Sequence, residues 1–179
     1  LTLARLALRR DRISLLCWAG GLVGMFSATA ASYSSLYPPG PARQALSAGL
    51  ASNSAIVAVT GPAFDLSGSG GFVAWRLSAS GIVLGAVLSI LAVSRHTRAN
   101  EEAGRTELVD AGGAGRLAEP AAAIGLVLGA NLVVGGLLAL VLGAIGLGWA
   151  GSVLLGLSIT GAGWVFTAVT SLAAQLFRS

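Results

Sequence analysis

Charged residues divide the chain into long apolar windows separated by short polar segments. A membrane-spanning helix needs about 20 predominantly apolar residues, because the hydrocarbon core is ~30 Å thick and a helix rises ~1.5 Å per residue. Four windows meet this length, and they predict transmembrane helices over residues 13–36, 77–94, 121–145 and 152–177. The last two share one charge-free stretch, in which the glycine-rich residues 146–151 predict a turn. The pattern therefore predicts an all-α polytopic membrane protein with about four transmembrane helices.

Composition supports lipid as the solvent of this chain. Of the 179 residues, 55% are apolar and only 10% are charged, whereas soluble domains carry about 25% charged residues. The 26 glycines agree with this interpretation, since glycine is more frequent in membrane helices than in soluble ones. The single cysteine, Cys17, excludes a disulfide within the chain and a site built from several cysteines.

All eleven cationic side chains are arginines, and most lie on one side of the predicted spans. Flanking loops with more Arg and Lys stay in the cytoplasm. Arg43 and Arg76 fall on one side, while the other side holds Arg5, Arg9, Arg10, Arg12, Arg95, Arg98, Arg105, Arg116 and Arg178. The sequence thus predicts a multi-pass protein of the plasma (inner) membrane with both termini cytoplasmic. A cleaved signal peptide is less favoured, because the first uncharged stretch is longer than such a peptide requires.

Two flanking segments leave alternatives open. In residues 1–12, Arg5, Arg9 and Arg12 share one helical face, which is typical of an interfacial helix lying along the cytoplasmic leaflet. A plain basic anchor explains the same pattern equally well. The predicted extracellular segment, residues 37–76, contains an apolar stretch over 42–59 that predicts a short helix, followed by a glycine-rich turn. This segment is either a structured cap or a passive connector.

The segment between the second and third spans, residues 95–119, is predicted to be cytoplasmic. It holds most of the charged residues on that side of the membrane. If the second span continues into it as a helix, residues of opposite charge lie three or four positions apart and form a ladder of ion pairs. The members of that ladder are Arg98, Glu101, Glu102 and Arg105. A ladder that extends a span favours docking of another protein, although a solvated charged loop is the simpler interpretation.

Catalytic and nucleotide-binding chemistry is disfavoured. His96 is the only histidine, and zinc sites usually need three or four ligands, so neither a metal site nor an acid–base site is predicted. The chain has no lysine, which excludes a phosphate-binding loop ending in Gly-Lys-Ser/Thr. The separated arginine clusters do not form the continuous basic face that nucleic-acid binding requires.

Within the spans the sequence offers packing signals and isolated polar residues. Pairs of glycines four positions apart predict close helix contacts: Gly20 with Gly24, Gly81 with Gly85, and Gly125 with Gly129. Polar side chains in lipid should face the bundle interior or line a pathway, and those singled out here are Asn131, Thr160, Thr167 and Gln175. Hydrogen bonds between helices are the preferred role. The predicted spans contain no acid or base, which argues against a proton-coupled transporter.

The charged run from Arg95 to Gly112 resembles the signature of actinobacterial ABC exporter permeases of the polyketide-antibiotic, or tetronasin-type, efflux family. Residues 61–65 (Gly-Pro-Ala-Phe-Asp) and 74–76 (Ala-Trp-Arg) are also similar to that family. The resemblance implies a permease that is not itself an enzyme and that moves hydrophobic antibiotics or drugs out of the cell. Family members are longer, so the chain resembles their N-terminal portion and would need the remaining permease helices.

The same resemblance implies a cytoplasmic ABC ATPase partner, acting as a dimer, that binds ATP and magnesium. It assigns residues 1–12 to an elbow helix, and it assigns coupling to the ATPase to Arg98, Glu101, Glu102, Arg105 and Glu107. Two other classes are kept as alternatives. One is a membrane-embedded scaffold that transports nothing, and the other is a small secondary transporter.

Overall fold

The computed structural model describes residues 2–102 and 118–176, with side chains described over residues 13–95 and 121–176. The described residues form six helices. Their bounds are α1 (Thr2–Leu36), α2 (Pro41–Ser52), α3 (Ser54–Thr60), α4 (Ser69–Glu102), α5 (Ala118–Ala144) and α6 (Trp149–Leu176). Four of them are long and apolar enough to cross a membrane, over Ile13–Leu36, Ser69–Arg95, Ala121–Ala144 and Trp149–Leu176. The predicted all-α polytopic class is therefore confirmed.

The four long helices form one antiparallel bundle. Helices α4 and α6 run in the same direction, and α5 runs opposite to both and packs closely against α6. Helix α1 packs on α4 and α5. We call the end of the bundle where α1 and α5 finish the distal end, and the opposite end the proximal end. The short helices α2 and α3 lie in the distal connection between α1 and α4.

The bundle has a narrow core and a wide apolar surface. Its most buried large side chains come from all four long helices, with Phe26 on α1, Val73 on α4, Leu138 on α5 and Ile159 on α6. By contrast, many leucines and valines on the outward faces are exposed, among them Leu154 and Val165. No more than a third of any span is buried within the structure. Such surfaces belong in lipid or against further helices.

The distal connection contains two helices where the sequence predicts one. Helix α2 begins at Pro41, where the missing amide hydrogen of proline would have no helical partner. It stops at Ser52 because Asn53 is extended and its side chain accepts hydrogen bonds of 3.1 Å from the amides of Ala55 and Ile56. This N-cap starts α3.

Helix α4 begins at Ser69, inside the glycine-rich segment from which the sequence predicts a turn. Two glycines in its first turn contact other backbone segments: a Cβ atom on Gly70 would lie 2.5 Å from the carbonyl oxygen of Leu147, and one on Gly71 would overlap the carbonyl of Asp65. Glycine at these two positions allows the backbone segments to approach closely. Helix α4 therefore begins eight residues before the predicted span 77–94.

The link between α5 and α6 is a tight turn over residues 145–148. Gly146 and Gly148 both have φ near +89°, a region that L side chains rarely adopt. The amide of Leu147 donates to the carbonyl of Leu142, and that of Gly146 donates to Gly143, which satisfies carbonyls at the end of α5. Because this turn is short, α5 and α6 must lie side by side.

One of the three glycine pairs packs between helices of the described bundle, and the other two do not. A Cβ atom on Gly81 would lie 2.9 Å from the Phe26 ring, and one on Gly85 would lie 3.2 Å from Ile159, so this pair does pack between helices. A Cβ atom on Gly20, Gly24, Gly125 or Gly129 would have no described atom of another helix within 4 Å. All four of these glycines are exposed, and Gly125 and Gly129 line an open groove between α1 and α5.

Candidate functional site

The residues assigned to ATPase coupling lie at and beyond the proximal end of α4. The helix passes the end of the apolar span at Arg95 and continues to Glu102, so Arg98, Glu101 and Glu102 are helical. Their side chains, and all of Arg105 and Glu107, lie outside the described residues. The predicted continuation of the second span as a helix therefore holds as far as Glu102. Residues 2–12 are helical as well and join the first span without a break.

A buried polar cluster, formed by Ser89, Asn131 and Thr160, links three helices inside the apolar region. The Asn131 amide nitrogen donates to the Ser89 hydroxyl at 2.9 Å and to the Val127 carbonyl at 3.0 Å. The Thr160 hydroxyl lies 3.2 Å from the Asn131 carbonyl oxygen and 2.9 Å from that of Gly156. Ser89 also lies 2.9 Å from the carbonyl oxygen of Gly85. The cluster therefore connects α4 to α5 and α5 to α6.

Close backbone contact surrounds this cluster. A Cβ atom on Gly135 would lie 2.6 Å from the Gly156 carbonyl oxygen, and one on Gly156 would lie 3.1 Å from the Ala139 side chain. The Asn131 side chain packs directly on Gly163. Small residues that let helices approach are the usual basis of helix association in lipid. Asn131 and Thr160 of the polar cluster therefore sit in a closely packed contact between α5 and α6.

The other predicted polar residues have different surroundings. Thr167 is fully buried and its hydroxyl donates to the Gly163 carbonyl of its own helix at 2.7 Å. Gln175 is exposed near the end of α6, which differs from the expected interior position. The indole of Trp164, although partly exposed, donates to the Leu128 carbonyl at 3.0 Å and adds a second bond between α6 and α5.

At the distal end, Arg43 of α2 is buried, with only 8% of its surface exposed. Its guanidinium donates to the carbonyls of Tyr37 and Ser67, at 2.8 Å from Nε and 3.0 Å from Nη1. The guanidinium carbon also lies 4.8 Å from the centre of the Tyr33 ring. A buried cation needs such partners, since burial of an unpaired charge is costly. We call Arg43 with these three partners the arginine clasp.

Aromatic side chains extend the arginine clasp to α4. The rings of Tyr33 and Phe72 stack with centroids 4.0 Å apart, and the Tyr33 hydroxyl donates to the Leu66 carbonyl at 2.7 Å. The indole of Trp75 donates to the Gly61 carbonyl at 2.9 Å. These contacts fix the distal connection to the ends of α1 and α4. They favour a structured cap over a passive connector, and we call residues 37–68 the cap.

Among the described residues, two large apolar grooves open on the bundle surface. One, about 730 Å³ in volume, lies between α1 and α5 and is lined by Leu15, Leu126 and Val133. The other, about 530 Å³, lies at the distal end between the cap helices and the first turns of α4. A smaller cavity of about 50 Å³ reaches Ser89 and Asn131 from the side of Arg95. Within the described residues, no three His, Cys, Asp or Glu side chains lie close enough together to hold a metal ion.

Sequence reasoning missed Ser89 and the role of Arg43. Serine is too common in membrane helices to stand out, and its helical bond to Gly85 gives no signal of the Asn131 contact. Arg43 is counted only as a charge of the outer loop, because nothing in the pattern shows that Tyr33 and Ser67 converge on it. Both contacts are long-range in sequence and depend on the packed fold.

Comparison with known proteins gives one informative relative. No known protein-family profile matches the chain. The whole chain aligns, with 41% identity over 180 positions, to the multidrug efflux system permease protein of Mycobacterium tuberculosis. The chain spans about a third, 32%, of the length of that relative. It is therefore similar, along its entire length, to one part of a multidrug efflux permease.

Proposed function

We propose that this chain forms part of the transmembrane subunit of an ABC-type exporter that moves hydrophobic drugs or antibiotics out of the cell. The single observation that carries the proposal is the 41% identity, over 100% of the chain, to a permease of a multidrug efflux system. The bundle supports it, since four membrane-spanning helices with wide apolar faces suit assembly with further permease helices. Polyketide antibiotics of the tetronasin type are the substrate class that the charged signature favours.

The proposed ATPase contact is the proximal end of α4. This helix extends about two turns past the apolar span and carries Arg98, Glu101 and Glu102 away from the membrane. A helix that is continuous with a span can pass a displacement at the ATPase to the bundle. ATP and magnesium would be bound by the partner, and the arginine distribution supports cytoplasmic placement of both termini.

The polar cluster has a structural role in this proposal. Each of its side chains is buried and already hydrogen-bonded within the bundle, and no wide cavity reaches it among the described residues. Helices α4, α5 and α6 would then move together as one unit. The drug pathway would form on the exposed apolar faces, for which the groove between α1 and α5 is the candidate within this chain.

A transport assay tests the proposal. Cells that lack the gene should accumulate more of a hydrophobic dye such as Hoechst 33342 than cells that carry it, and reintroduction of the gene should restore efflux. Efflux should stop when ATP is depleted and should continue when the proton gradient alone is collapsed. Equal accumulation with and without the gene would favour the scaffold alternative. Loss of efflux on collapse of the proton gradient would favour a secondary transporter.

A further inference from the structure

The groove at the distal end, here called the distal groove, is lined by side chains from the cap and from the ends of α1 and α4. Its walls include Tyr37, Leu50, Ile56, Phe72, Trp75 and Arg76, and its volume is about 530 Å³. This size falls within the range of pockets that hold small organic ligands. All of these residues except Arg76 present largely apolar surface to the groove.

The distal groove lies at the depth of the membrane interface. Tyr and Trp concentrate where headgroups meet acyl chains. Tyr37 directly follows the first span and Trp75 lies in the second turn of the second span, and both line this groove. The cap also exposes apolar side chains that water would not favour, with Phe64 92% exposed and Val59 84% exposed. We therefore place the cap in contact with lipid, so that the groove opens toward acyl chains.

Charge is unbalanced at the edge of the groove. Arg76 is exposed and makes no ion pair or hydrogen bond with the part of the chain that the structure describes. The neighbouring cation, Arg43, is already occupied by carbonyl groups and the Tyr33 ring. The one acid of the distal connection, Asp65, uses its carboxylate to accept hydrogen bonds from Ser67. An anion at Arg76 would therefore meet a cation without a competing carboxylate.

We propose that the distal groove binds an anionic phospholipid, with the phosphate headgroup at Arg76 and part of an acyl chain against the apolar walls of the groove. A phospholipid is the occupant that combines a long apolar chain with an anionic group at interfacial depth. The bound lipid fills the space between the cap and α4 and holds the cap against the bundle. This inference depends on membrane insertion and does not depend on the transport function proposed above.

Fluorescence quenching tests the proposal on the full chain in mixed micelles. Trp75 becomes the sole tryptophan through Trp18→Phe, Trp149→Phe and Trp164→Phe, and the probes are phosphatidylglycerol and phosphatidylcholine with dibrominated acyl chains. We expect phosphatidylglycerol to quench Trp75 at a mole fraction about fivefold lower than phosphatidylcholine, because one cation attracts the anionic headgroup. Arg76→Gln should abolish this preference. Arg178→Gln, which removes the same charge after the fourth span in the sequence, should retain it.

Equal quenching by the two lipids, or a preference that survives Arg76→Gln, would overturn the proposal. Complete displacement of phosphatidylglycerol by an equimolar amount of dodecanoate would also overturn it, in favour of a hydrophobic acid. If the single-tryptophan variant does not fold, native mass spectrometry of the unsubstituted chain gives the same comparison. About fivefold more phosphatidylglycerol than phosphatidylcholine should then remain bound, and Arg76→Gln should remove the excess.

Discussion

The Asn131 amide on α5 donates a 2.9 Å hydrogen bond to the Ser89 hydroxyl on α4, within the membrane-spanning part of the bundle. Ser89 is 1% exposed and Asn131 is 9% exposed, so water does not compete for this bond. The same Asn131 residue accepts from Thr160 of α6 through its backbone carbonyl. One residue of α5 thus contacts both neighbouring helices through polar groups, which makes α4, α5 and α6 a connected unit.

Replacement of the two hydrogen-bonded residues should reveal their coupling. Asn131→Val and Ser89→Ala should each reduce the free energy of unfolding in micelles, and a double-mutant cycle should give a coupling of about 0.6 kcal/mol, within a range of up to ~1.7 kcal/mol. Ser158→Ala is the matched control, because the exposed Ser158 hydroxyl bonds only within its own helix. Strictly additive effects of Asn131→Val and Ser89→Ala would refute the contact.

The close contact between Gly135 and Gly156 predicts a steric effect that the outward-facing glycines lack. Gly156→Ala places a methyl group against the backbone of Gly135, and we expect a loss of about 1–3 kcal/mol in the free energy of unfolding. Gly129→Ala adds a methyl group that meets no described atom of another helix within 4 Å, so its effect should stay within about 0.5 kcal/mol. Thermal or denaturant unfolding in micelles compares the two. A larger loss for Gly129→Ala would contradict this packing.

The length of the charge-free windows predicts the fold class of this chain because lipid imposes a simple requirement. A span must be long, apolar and helical, and charge-free windows report all three properties. The length and polarity of these windows do not show which helices pack against each other. The pair Gly125 and Gly129 has the same spacing as Gly81 and Gly85, yet only the second pair packs between helices of this chain. Which face turns inward depends on the volumes of all neighbouring side chains.

The candidate site could also be predicted only in part. Asn131 is identifiable because an amide is costly in lipid, whereas its partner Ser89 is not, since serine can bond to its own helix. Arg43 is visible in the sequence as a charge, but its burial follows from the aromatic stack and from the turn after Leu36 that brings Arg43 to the Tyr37 carbonyl. The local break at Asn53 could have been found, because Asn is a preferred N-cap residue.

Loss of the arginine clasp should loosen the cap and leave the bundle intact. Arg43→Met removes the hydrogen bonds that the guanidinium donates to the Tyr37 and Ser67 carbonyls. Each hydrogen bond from a charged group contributes about 1.5–3 kcal/mol to stability. We expect faster amide hydrogen exchange in α2 and α3, with unchanged exchange in α5 and α6. Arg43→Lys, which keeps the charge and lacks the planar fork, should give an intermediate result. Unchanged exchange in the cap of Arg43→Met would show that the clasp does not hold it.

The loop before α4 should show a carboxylate that resists protonation. Hydrogen bonds from the hydroxyl and then from the amide of Ser67 lower the pKa of Asp65 below its ordinary value of 3.8. A lowered pKa means that these bonds stabilise the folded loop above the unfolded pKa, and that this contribution disappears as the pH falls through the folded pKa. Carbon-13 titration of Asp65 should show the lowered value, and Ser67→Ala should raise it toward 3.8. A titration unaffected by Ser67→Ala would contradict the assignment.

The central claim, a permease that works with a separate ATPase, is tested most directly by co-purification from native membranes followed by mass spectrometry. The native protein and an Asp65→Ala control, which removes an acid at the distal end, should each retain an ABC ATPase. The triple variant Glu101→Ala, Glu102→Ala, Arg105→Ala should lose it, because the charged helix beyond the second span is the proposed docking surface. Absence of any ATPase from the native preparation, or its full retention by the triple variant, would contradict the account.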